Sequence, residues 1–187
     1  MADSRFAEYE LQQLDNLPTS EHQLILQSNI VYDPKGWIAQ TKQKIEGKIH
    51  PAMVSFYQER YLDKLPFEIY SHLQPNEFDK AKLEKSRQIQ WVKWAVRTIR
   101  DAVGAKTYIQ TGKFIYKKED ILNFCSIYLP PDAFETVQEI YRWKTDFETR
   151  ERMIADFLAT PDKCFALFSE YTKKIENIVN QIKNRPL

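Results

Sequence analysis

The stretch NEFDKAKLEKSRQIQWVKWAVRTIRDAV, residues 76–103, decides the fold. It contains neither Pro nor Gly, and its apolar and charged residues separate when placed at 100° intervals around a helix axis. Gln88, Trp91, Val92, Ala95, Val96, Ile99, Ala102 and Val103 fall on one broad side, which predicts the buried face of a long helix. Lys82, Ser86, Gln90, Lys93, Arg97 and Arg100 follow each other at spacings of 4, 4, 3, 4 and 3 and form a polar stripe opposite it. Asn76 is placed to cap the start, Asp79 adds negative charge near the positive end of the helix dipole, and Gly104 is expected to end the helix in a left-handed conformation.

Beyond Gly104 the period changes. Residues 106–118, KTYIQTGKFIYKK, are rich in Thr, Tyr, Ile and Phe around Thr111-Gly112, and predict a short β-hairpin over about 106–117 that packs on the helices. Helix resumes at Lys118 or Glu119 and ends at Pro130-Pro131. Asp132 is expected to cap the next helix, and Thr160-Pro161 to open the last.

Upstream, Pro residues divide the chain into short helices. Asp33-Pro34 and His50-Pro51 are helix starts, Gly47 is a stop, and Phe67 to Leu73 form a connector. Residues 1–18 carry few apolar anchors and read as a weakly attached segment. The expected architecture is a mainly α, compact multi-helix single domain over 1–187 with one hairpin.

A chain of 187 residues can bury a full core, and four glycines disfavour both Gly-rich phosphate loops and many-turned β folds. No basic-then-apolar leader opens the chain, and no window approaches a membrane span, so a cytoplasmic protein without membrane contact is expected. Cys125 and Cys164 sit in apolar helical surroundings and read as buried small hydrophobes in a reducing compartment.

No metal, cofactor or catalytic residue is expected. His22, His50 and His72 lie outside any HExxH or paired Glu-x-x-His spacing, and Glu68 with His72 supplies only two of the ligands a metal needs. GxxxxGK[ST], GxGxxG and GxSxG are all missing, so the chain reads as a non-enzyme.

The functional clue is charge segregation. Residues 79–118 carry 11 basic and 3 acidic side chains, residues 119–162 carry 4 and 10, and the whole chain is +1. Two readings follow. In the first, the chain is an adaptor or regulatory protein working through protein contacts, with self-association or a partner helix at 161–184. The seam Phe168, Tyr171, Ile175, Ile178 and Ile182, spaced 3, 4, 3 and 4, would pair there, although packing on the chain's own core is the plainer use for it.

In the second, the helical stripe with Lys106, Lys113 and Lys117 of the hairpin holds DNA or RNA. Lys and Arg would sit on phosphates, with Ser86 and Gln90 near base edges. The same residues count as polyanion- or partner-binding, and the acidic segment 119–162 equally offers a dock for a basic partner surface. The bland alternative is a solvated helix face neutralised by the acidic segment 119–162.

Overall fold

The computed structural model describes residues 33–64, 85–149 and 161–186. Among these the chain is mainly helical: α1 (Trp37–Ile45), α2 (Pro51–Tyr57), α3 (Lys85–Thr111), α4 (Lys118–Tyr128), α5 (Pro131–Thr149) and α6 (Pro161–Asn184). A π-helical stretch, Gln58–Asp63, continues α2. The weakly attached segment 1–18, the connector at 67–73 and the part of the long helix before Lys85 lie outside the described residues.

The starts follow their predicted chemistry with shifts of detail. Asp33 caps α1 at a distance, its two carboxylate oxygens accepting the N–H groups of Trp37 and Ala39 at 2.9 Å each. Pro51 is the first residue of α2 and Pro131 the first of α5, where the missing N–H goes unused. Asp132 therefore lies in the first turn of α5, favourably for the dipole, and is not its cap. Glu119 and Asp120 do the same for α4.

The β-hairpin over 106–117 is not formed. Helix α3 passes through Gly104 and ends at Thr111, and residues 113–116 have no regular structure. Gly104 has a steric role: a Cβ there would lie 2.4 Å from Cζ of Phe114, so only glycine lets that ring close on the helix. The stop comes at Gly112, with φ +71° and its N–H bonded to the carbonyl of Tyr108 at 2.8 Å. The threonines that suggest strand are satisfied inside the helix, since Thr111 returns its hydroxyl to the carbonyl of Thr107 at 2.7 Å and Thr107 does likewise to Val103.

Helix α3 is the axis of the core. Trp91 stacks on Phe168 of α6 at 4.2 Å between centroids, donates its indole N–H to Thr172 at 3.2 Å, and meets Trp143 of α5. Near the other end, Lys106 donates to the carbonyl of Lys183, so α3 and α6 run parallel. Tyr171 touches Trp143 and Glu139, and residues 132–139 of α5 line one groove with residues 171–178 of α6, so the two helices lie side by side. Tyr57 of α2 packs edge-on against Tyr108 at 4.9 Å. From Thr98 to Ala105 only Arg100 reaches solvent, the others being buried, as suits a helix surrounded by α2, α4, α5 and α6.

Candidate binding surface

The polar stripe survives on the N-terminal half of α3. Gln90, Lys93 and Arg97 are exposed there and Arg100 is half-exposed, all on successive turns of a helix whose apolar side is locked in the core. Arg97 also lies over the ring of Trp94, its Cζ 5.2 Å from the centroid. Lys82 lies outside the described residues, as does the side chain of Ser86.

One of the remaining predicted members is engaged elsewhere. Lys106 is turned to the C-terminal end of α6, where its Nζ donates to the carbonyl of Lys183 at 2.8 Å, and burial pulls its pKa down. Lys113 and Lys117 are exposed but follow the end of α3 in irregular chain, with no described bond tying them to Arg97 or Arg100.

Charge on the face is answered from within the same helix. Asp101 is 1% exposed, and its two oxygens are divided between two arginines. Arg100 brings Nε at 2.9 Å and Nη2 at 2.7 Å to Oδ1, while Arg97 brings Nε at 3.3 Å to Oδ2. Burial drives the phenols of Tyr57 of α2 and Tyr141 of α5 well above their ordinary range, with Tyr108 next for Tyr57 and Cys125 next for Tyr141, and the Asp101 carboxylate adds a smaller push in the same direction. Asp101 was the residue that sequence reasoning missed. Its signal was present, since it stands four positions after Arg97, a spacing that brings two helical side chains together.

The acidic segment does not blanket this face among the described residues. Part of it lines a groove of about 270 Å³ between α5 and α6, where Asp132, Glu135 and Glu139 face Tyr171, Lys174 and Asn177. Tyr171 donates its hydroxyl to Glu139, and burial with the neighbouring carboxylate raises its pKa, so the phenol keeps its proton. Lys174 spans the groove's edge, over the Tyr171 ring at 4.3 Å and paired with Glu170 at 2.8 Å.

The predicted pairing seam points inward. Phe168, Tyr171, Ile175, Ile178 and Ile182 are all buried in the shared core against α3 and α5, the plainer use of that pattern. A partner helix pairing along 161–184 would have to displace those helices.

Cys125 is buried with its thiol pushed up to about 12 by desolvation, which leaves it protonated and a poor nucleophile near neutral pH. The side chain of Cys164, and all of His22 and His72, lie outside the described residues. Among the described residues no three His, Cys, Asp or Glu side chains gather as metal ligands, and no helix is long and apolar enough to cross a membrane. Comparison with protein-family models, with curated proteins and with solved structures gives no match to this chain.

Proposed function

We propose that the chain is a non-catalytic adaptor or regulatory module that docks an acidic face of a partner protein on the Lys93, Arg97 and Arg100 side of α3. One observation carries the reading: these three cations stand at the surface on successive turns of a helix whose apolar side is buried in the core. A rigid carrier lowers the entropy lost on docking, and a compact cationic face steers an acidic partner toward it.

Nucleic-acid binding is the second reading, favoured by the exposed Gln90 beside Lys93. Strong duplex binding rests on about six to ten phosphate contacts. With Lys106 turned inward and Asp101 neutralising one charge, the face offers fewer among the described residues, which favours the protein partner.

Affinity purification separates these readings. Wild type is compared with Lys93→Glu combined with Arg97→Gln, and with Arg142→Glu on exposed α5 surface as a charge-reversal control. The double variant should lose a protein that the control retains. Retention by the double variant overturns the reading. Filter binding of DNA and RNA at low and high salt, showing tight and steeply salt-dependent binding by wild type, would replace it with the second one.

A further inference from the structure

A buried carboxylate in the middle of a long helix is unfavourable unless something answers it, and Asp101 is answered unusually fully. Arg100 commits Nε and Nη2 to one oxygen and Arg97 commits Nε to the other. A guanidinium has five N–H donors. Both Nη groups of Arg97 and Nη1 of Arg100 therefore remain uncommitted by Asp101, on side chains that are 53% and 38% exposed. Arg97 is braced a second time by the Trp94 ring. Each guanidinium is thus held at its inner edge by groups of its own helix and open at its outer edge.

Lys93, one turn before Arg97, adds an exposed ammonium. Three cations against the single carboxylate of Asp101 leave two net positive charges concentrated on successive turns. A phosphomonoester carries about −1.5 to −2 near neutral pH and presents three acceptor oxygens, so it matches that excess as one group. A peptide carboxylate, a sulfate ester or a nucleic-acid phosphodiester each brings only one charge per group.

Resting on the docking reading above, we infer that the partner is held through a phosphorylated side chain seated among Arg97, Arg100 and Lys93. Asp101 is the positioning residue: it fixes the two guanidiniums before the ligand arrives and takes no part in contacting it. The fold supplies the fixation, because Asp101 is only 1% exposed on a helix packed by α2, α4, α5 and α6, where little water competes for its oxygens.

The test uses phenyl phosphate and phenyl sulfate, two tetrahedral oxyanions of like shape that differ in charge. Both are titrated into the full chain while the Nε–H signals of Arg97 and Arg100 are followed by NMR. Saturable shifts of both signals are expected, with phosphate binding about tenfold tighter than sulfate. Equal affinities, or no shift at these two groups, overturn the inference, and this arm needs no variant to fold.

Asp101→Asn gives the positioning arm. It adds a net positive charge, so charge alone would tighten phenyl phosphate binding. Lost fixation should instead weaken it several-fold and merge the two Nε–H signals toward a solvent-averaged position. Tighter binding, or unchanged signals, removes the positioning role. Phosphatase treatment of the captured partner should release it. If phenyl phosphate fails while Lys93→Glu with Arg97→Gln still loses the partner, only the phosphate inference falls; if the double variant keeps its partner, the docking face itself falls.

Discussion

The backbone N–H of Gly47 donates to the carbonyl of Gly112 at 3.2 Å, joining the chain just after α1 to the end of α3, and both residues are left-handed, with φ +75° and +71°. Their surroundings differ. A Cβ on Gly112 would lie 2.5 Å from the backbone carbon of Gly47, whereas one on Gly47 would meet nothing within 4 Å. Gly47→Ala should therefore lose only the conformational term, about 1 kcal/mol, and Gly112→Ala about 2–4 kcal/mol from conformation and clash together. Urea unfolding of the two variants checks this, and equal losses would show that the contact does not matter.

Gly104 gives the opposite test of a glycine. Inside an exposed helix, Gly→Ala stabilises by about 1 kcal/mol. Here the added methyl would meet Phe114 at 2.4 and 2.5 Å and the carbonyl of Ile115 at 2.8 Å, so Gly104→Ala should destabilise by about 1–3 kcal/mol. Combining it with Phe114→Leu, which removes the ring, should recover part of the loss. A stabilised single variant in a thermal melt would contradict the packing.

These glycines mark where the sequence was legible and where it was not. The buried side of α3 was readable because Trp91, Val92, Ala95, Val96, Ile99, Ala102 and Val103 repeat at helical period, a local property that the core then uses directly. The end of α3 was not, because a glycine permits either a left-handed stop or a missing Cβ, and a partner ten residues away at Phe114 decides between them. Thr107 and Thr111 added to the error, since residues of high strand propensity sit in a helix once their hydroxyls bond back to the preceding turn.

The candidate face was half legible for a similar reason. Spacing placed Lys93, Arg97 and Arg100 together, and they are together. Nothing local said that Lys106 would find the carbonyl of Lys183, or that packing would bury Asp101. Burial of one carboxylate turned a stripe of independent cations into a braced pair.

That bracing predicts an asymmetry in stability. Asp101→Asn leaves two arginines that are already partly in water and can hydrate, and should cost about 1–3 kcal/mol. Arg97→Gln with Arg100→Gln leaves a buried, uncompensated carboxylate and should cost about 3–5 kcal/mol. Guanidinium chloride would mask charge effects, so urea unfolding at low salt is the proper measurement. If the double arginine variant proves the milder of the two, Asp101 is better solvated than its burial implies.

Alkaline pH tests the packing from another direction. Tyr57 and Tyr141 have phenol pKa values raised above the ordinary 10.0, first by burial, with Tyr108 next for Tyr57 and Cys125 next for Tyr141. A raised folded pKa stabilises fully below the unfolded value and is lost as pH climbs past it, because the unfolded chain then releases protons that the folded chain retains. Cys125 acts in the same sense from a lower start, its thiol moved from 9.0 to about 12 by burial. Stability should therefore begin to decline near pH 9 and fall more steeply above pH 10, and the phenolate absorbance of the buried tyrosines should rise together with unfolding, not before it. In a Cys164→Ser variant the remaining thiol should react with a disulfide reagent only at the rate at which the core opens. Rapid labelling at pH 8 in the folded protein would show that Cys125 is accessible, and with it that α4 does not close over α3 as described.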